Sequence, residues 1–282
     1  MVLLAMVPVL AAGCAIKKTS RVEPGSIPPA LESTADRLIE QYNQQARAVR
    51  SLNAAVELNP VAGSAYTGVI EDYKDIRGFI LAQRPSHIRM IGQAPVVKKN
   101  IFDMVSDGQT FRIFIPPKNK FVVGPADLER PARKPIENLR PQHILDAIFW
   151  KELPAGRMVL FEEFDAQPQR FYILTLVRES EGPEIARKIW FNRADLGIAR
   201  MQVYASKGRL ISDVRLADWQ LAGDVKYPRH IWVVRPHDDY QLELRITKLT
   251  LNEDIAADRF RLEQPPGTEL VRVGEPGGED RP

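Results

Sequence analysis

Short runs rich in Val, Ile, Phe and Tyr, separated by turn signals such as Asp107-Gly108, Lys207-Gly208 and Gly223-Asp224, fill most of the chain and leave little choice of fold class. The pattern predicts strands near 53–59, 65–73, 76–83, 86–92, 101–106, 109–115 and 120–123, then near 157–164, 170–177, 186–192, 198–205, 209–218, 228–235 and 240–249. Many of these runs alternate apolar with polar residues, which marks an antiparallel sheet with one wet face and one buried face. Fourteen strands exceed what a flat open sheet readily holds, so the sheet is expected to curl around its apolar side. The expected class is mainly β with a few helices.

One helix precedes the strands. Leu31, Ala35, Leu38, Ile39, Tyr42, Ala46, Val49 and Leu52 recur at spacings of three and four, and Ser33 or Thr34 can cap the start. The helix is the natural filler for the curled sheet. A proline-rich insert at 116–156 interrupts the strands and carries Lys118, Lys120, Arg130, Arg133, Lys134 and Arg140. Within it, Pro141 to Trp150 reads as a helix, with proline in its first turn and Ile144, Leu145, Ile148 and Phe149 as an apolar stripe. That segment is either a core-packing crossover or a lid.

Ahead of all this stands MVLLAMVPVLAAG, uncharged, mostly apolar and followed at once by Cys14, the sole cysteine of the chain. The run is too short to span a bilayer, which takes roughly 20 apolar residues, and its length fits a cleaved signal over residues 1–13. No basic segment precedes it, which leaves room for a start upstream of Met1. Leu10-Ala11-Ala12-Gly13-Cys14 resembles the lipobox of bacterial lipoproteins, and the resemblance implies acylation of Cys14 with palmitate-like chains. Each buried methylene contributes about 0.8 kcal/mol, so several chains on one residue suffice for anchoring. Residues 14–30 are rich in proline and lysine and read as a lipidated tether reaching roughly 50 Å at about 3.3 Å per residue. One folded domain is expected over 31–273, followed by a disordered tail at 274–282.

A formal charge of +3, dispersed along the chain, gives no basic face for nucleic acid. His87, His143, His230 and His237 are scattered and no cysteine pair exists, so no metal site and no cofactor are expected. Glu163 and Asp165 share a strand face, and an enzyme reading survives only if that pair faces a cleft.

The order of the first helix, GFILAQRPSHIRM at 78–90, MVSDGQTFRIFIPPKNKFVVG at 104–124 and WFNRADLGIARMQVYASKGRLISDVRLADW at 190–219 resembles the outer-membrane lipoprotein-sorting superfamily, over residues 34–272. That superfamily includes a soluble periplasmic lipoprotein carrier and a lipid-anchored outer-membrane receptor. The resemblance implies an incomplete antiparallel barrel with helices over its concave face and a cavity for the acyl chains of lipids or lipoproteins. The carrier's functional arginine, just before a proline, falls on Arg84, which the resemblance places at the cavity rim. An anchored chain points to the receptor-like role, with a periplasmic carrier as partner. Ala15 follows the cysteine where aspartate would resemble an inner-membrane retention signal, so the expected location is the periplasmic face of the outer membrane.

Acyl chains need a dry surface that repacks around them, and methionine adapts well. Ile80, Leu81, Met90, Met104, Phe111, Ile113, Ile148 and Phe149 are the residues expected to line the cavity or its lid. The alternative is an envelope sensor or structural scaffold with the same half-barrel and no lipid transfer. Cys14→Ser is expected to move the protein from the membrane to the soluble periplasmic fraction; retention of the variant in washed membranes would count against lipid anchoring.

Overall fold

The computed structural model describes residues 28–64, 68–73, 75–128, 138–166 and 169–274. The signal run, Cys14, most of the tether and nearly all of the expected tail lie outside these residues. Two α-helices, α1 (Ala35–Ala48) and α2 (Pro141–Ile148), accompany fifteen strands. The strands are β1 (Ser51–Ser64), β2 (Val69–Asp72), β3 (Ile76–Gln83), β4 (His87–Gln93), β5 (Asn100–Ser106), β6 (Thr110–Ile115) and β7 (Lys120–Pro125) before α2. After it come β8 (Val159–Ala166), β9 (Gln169–Glu179), β10 (Pro183–Asn192), β11 (Ile198–Tyr204), β12 (Leu210–Ala222), β13 (Val225–Arg235), β14 (Tyr240–Leu251) and β15 (Glu269–Arg272).

All fifteen belong to one sheet, ordered β15-β7-β6-β5-β4-β3-β1-β14-β13-β12-β11-β10-β9-β8, with β2 on the end of β1. The sheet is an incomplete barrel: β8 and β15 end the order and do not pair with each other. Neighbours pair antiparallel except β15, which runs parallel to β7. Two differences from the sequence reading stand out. The strand expected at 65–73 is the short arm β2, because β1 runs on to Ser64. The second is β15, which sequence patterning missed because four residues carry too little alternation to read.

On one flank the packing over the sheet requires glycine. Gly78 and Gly92 face each other across β3 and β4. A Cβ on Gly78 would lie 2.7 Å from Leu58 Cδ1 and 2.9 Å from Val56 Cγ2, and one on Gly92 would lie 2.2 Å from the Phe102 ring. The missing side chains let large neighbours lean over the strands, and the β4–β5 register shifts between Gly92 and Gln93.

The order of strands dictates what fills the concave side. β7 lies near one edge and β8 forms the other, so the chain between them must cross the whole sheet. It crosses on the apolar side, bringing α2 and the residues after it into the core. Proline opens α2, where its missing N–H is harmless, and Ile144, Leu145 and Ile148 are buried. α1 lies on the same side, capped by Thr34, whose side chain accepts from the Arg37 N–H at 3.4 Å, and it buries Leu38, Tyr42 and Ala46. Both helices pack against one apolar cluster that includes Ile80, Met90, Ile189, Phe191, Ile231 and Leu244.

The chain enters the domain beside β9 and β10. Leu31 N–H donates to the Arg193 carbonyl at 2.7 Å, Tyr172 Oη donates to the Leu31 carbonyl at 3.3 Å, and the Arg170 guanidinium donates to the Pro28 carbonyl.

Gly78→Ala is expected to lower stability by about 1–3 kcal/mol, because the new methyl must displace packed Leu58 and Val56. Chemical denaturation of wild type and variant checks this, and equal midpoints would mean that the neighbours yield freely.

Candidate functional site

After α2 the chain continues as an irregular strap over 149–153, buried at Phe149, Trp150 and Leu153. Buried peptide groups need partners, and here side chains supply them. Tyr227 Oη donates to the Ile148 carbonyl at 2.9 Å. Arg84 donates to the Trp150 carbonyl at 2.9 Å, while the same guanidinium donates to Val49 at 2.8 Å and Ala46 at 2.7 Å at the end of α1. Tyr42 and Arg187 both donate to the Lys151 carbonyl at 3.2 Å. Asn43 holds Leu153 at both ends, accepting from its N–H at 2.8 Å and donating to its carbonyl at 3.3 Å.

Arg84 is therefore a clamp between α1 and the strap, and its charge also lies 5.1 Å from the Phe149 ring centre. Desolvation shifts its pKa below the ordinary arginine value. An arginine remains charged through such a shift. Burial likewise raises the Tyr42 and Tyr227 phenols, so both keep the proton they donate.

The opening turn of α2 is held by a different contact. His143 Nδ1 lies 2.8 Å from Tyr240 Oη and its Nε2 lies 3.1 Å from an Arg235 nitrogen. Burial first, and the charges of Arg235 and Arg140 second, push this histidine well below its usual pKa. A neutral ring next to an obligate donor must accept at Nε2 and donate from Nδ1, which fixes the tautomer.

Between the strap and the sheet lies a cleft of about 230 Å³. Tyr42, Phe149 and Trp150 line its helical side, and Met201, Val203, Ile211 and Val214 on β11 and β12 line its sheet side. Asp146, Lys151, Arg187 and Arg235 add charge to it. Its apolar walls with a few polar groups suit a ligand with a long apolar part, although its volume falls below the roughly 300 Å³ at which ligand pockets usually begin. A second depression, about 330 Å³, lies on the outer face between β1, β13 and β14. Val61, Trp232, Val233, Val234 and Leu242 line it together with Asn59, Asp72, Asp75, Gln241 and Glu243, so its rim carries three carboxylates that the cleft beneath the strap does not share.

The residues expected to line a cavity are divided by this geometry. Phe149 borders the cleft. Ile80, Met90, Met104 and Ile148 are packed into the core, none more than 2% exposed. Phe111 is buried under the Arg140 guanidinium, 4.8 Å from its ring centre, and Ile113 packs against the edge of the core. Leu81 points to the other face of β3 from Ile80, because adjacent residues on a strand alternate. The sheet wall formed by Met201, Val203, Ile211 and Val214 was not singled out from the sequence. Its alternation was legible, but nothing local says which stretch of sheet the strap overlies.

Glu163 and Asp165 do lie on one face of β8, opposite Tyr172 and Arg170. Glu163 is ion-paired to Arg193, and neither carboxylate borders the cleft.

No protein-family model and no curated protein sequence matches the chain. Solved structures do. A LolA superfamily protein from Nitrosomonas europaea superposes with a TM-score of 0.50 at 13% identity, covering 82% of this chain and 99% of that one. A DUF1329 family protein from Desulfovibrio piger gives 0.51 at 12% identity, covering 80% and 95%.

Arg84→Leu removes three donated bonds and leaves the Trp150 carbonyl without its partner. A lost charged hydrogen bond costs roughly 1.5 to 3 kcal/mol, so amide exchange across 147–153 is expected to quicken by about ten- to a hundredfold. Unchanged exchange there would show that the other side chains hold the strap unaided. At the level of architecture, the chain has the fold of the LolA superfamily.

Proposed function

We propose that this protein is a lipoprotein, anchored through Cys14 at the periplasmic face of the outer membrane, that takes acyl chains of lipids or lipoproteins into the concave face beneath the strap. The observation that carries this reading is the construction of the strap: a greasy segment lying on an apolar sheet and held by side-chain bonds to its peptide groups rather than by a ladder. Such bonds release one by one, so the strap can lift as a lid and enlarge a cleft that is small when closed. Arg84, at the junction of α1 and the strap, is the residue through which closure is coupled to the rest of the domain.

Sequence features support the anchor: the apolar run, the small residues before Cys14 and the proline-rich tether. Among the described residues no helix is long and apolar enough to cross a membrane. At the turn between β4 and β5, Val96 and Val97 are 88% and 63% exposed beside Lys98 and Lys99, a combination suited to an anionic lipid surface. A receptor-like role, accepting its cargo from a soluble periplasmic carrier, fits an anchored chain with such a cleft. The competing reading, a sensor or scaffold with a filled interior, draws support from the tight packing of Ile80, Met90 and Met104.

Lipid copurifying with the Cys14→Ser protein, identified by mass spectrometry, separates the two. A fatty-acid probe is expected to bind the wild-type domain at least tenfold more tightly than Phe149→Asp or Ile148→Asp, with circular dichroism showing the sheet intact. Equal binding by all three, or none by any, would favour the scaffold.

A further inference from the structure

The two edges of the sheet are finished differently. On one side β15 is only four residues long, and Glu269 at its start pairs with Lys120 of β7. On the other side β8 is eight residues long and ends the strand order, so one row of its peptide groups has no strand to meet among the described residues. An exposed edge of that length is usually blunted by charged side chains, proline or a bulge; β8 contains no lysine and no proline, and its charges are all acidic, at Glu162, Glu163 and Asp165.

Its side chains are apolar to an unusual degree for such a place. Leu160, Phe161 and Phe164 are 56%, 44% and 40% exposed, and Met158 just ahead of the strand is 56% exposed. These make up a third of the twelve large apolar residues exposed among the described residues, gathered within seven positions of one edge. Two of them present rings already braced from the neighbouring strand: Phe161 stacks on Tyr172 at 5.1 Å and Phe164 on Phe171 at 6.5 Å.

Charge narrows what can lie alongside. The pairing with β9 sets Val159, Phe161 and Glu163 opposite Leu176, Leu174 and Tyr172, on the core side. Leu160, Glu162 and Phe164 stand opposite Thr175, Ile173 and Phe171, on the far side. Glu163 already has Arg193. Glu162 has Ile173 across from it and no ion pair or hydrogen bond among the described residues. The far side therefore reads apolar, acidic, apolar at two-residue spacing. A second copy of this edge fits poorly, because antiparallel self-pairing about the strand's centre sets Glu162 and Glu163 of one copy beside those of the other, and like charges across strands repel.

We infer that the free edge of β8 receives an extended strand from a partner protein in which a lysine or arginine falls between two apolar residues at two-residue spacing. Backbone bonds along the edge supply affinity and the alternating side chains supply selectivity. The inference is independent of the acyl-binding reading, since β8 does not border the cleft.

A short synthetic peptide with Val-Lys-Val at alternate positions and threonine between them is the probe, titrated into the Cys14→Ser protein up to millimolar concentration. The expected result is saturable binding that protects the amides of 159–166 from exchange. Replacing the peptide lysine with glutamate is expected to weaken binding by up to about fivefold, the scale of one cross-strand charge pair. Glu162→Lys should invert that preference, which a merely damaged fold cannot do. Absence of saturable binding, protection located elsewhere, or equal binding of both peptides by wild type would overturn the proposal. So would a concentration-dependent dimer that protects the same amides, since the occupant would then be a second copy.

Discussion

One connection joins the two halves of an open sheet whose halves end at opposite edges, and most of the molecule follows from where it runs. The chain leaves β7 near one edge and must reach β8 at the other. Crossing on the wet face would leave the apolar face uncovered, so the crossing segment becomes the interior. A crossing segment cannot join the ladder it lies across. Its peptide groups must therefore be satisfied by side chains reaching from the surrounding elements, which is what Tyr42, Asn43, Arg84, Arg187 and Tyr227 do. Each of these bonds adds little by itself, but a buried carbonyl left bare costs roughly 1–3 kcal/mol, so the set is more binding than its members.

The cleft is what remains when such a segment is laid on a curved surface without filling it. Its outer wall is the strap and its inner wall is the pleat of β11 and β12, two stretches about fifty residues apart in the chain. Both halves of the sheet are apolar on this side, yet they differ in use. The half built from β3 to β5 is closed by α2 and dense with Ile80, Met90 and Met104, whereas the half under Phe149 and Trp150 keeps open space.

Much of the architecture was legible because strands announce themselves by alternation and turns by Asp-Gly and Lys-Gly pairs. The helix face of Leu38, Tyr42 and Ala46 and the proline start of α2 were equally plain. β15 was not, since it exists only because β7 offers an edge for Leu270 and Val271 to follow. The sheet wall of the cleft was not legible for a related reason. Ile80, Met90 and Met201 look alike as apolar strand residues, and what distinguishes them is the path of a segment far away in the chain. Leu81 lies one residue from Ile80 and on the opposite face of β3. Arg84 was marked out by resemblance, but its three carbonyl partners come from α1, the α1–β1 junction and the strap, contacts that no local pattern encodes.

The entry of the chain at Pro28 to Glu32 has a mechanical consequence. Its holds are the Arg170 bond to Pro28, the paired bonds at Leu31, and the Arg193 ion pair with Glu32. Tension drawn through the leading segment is delivered to the ends of β9 and β10, several strands away from Arg84. The antiparallel pairing of those two strands, from Asn192 opposite Phe171 back to Pro183 opposite Glu179, takes up part of such a load ahead of Ser33, Thr34 and α1. The same holds fix the start of the helix whose far end Arg84 ties to the strap, so entry and closure meet in α1.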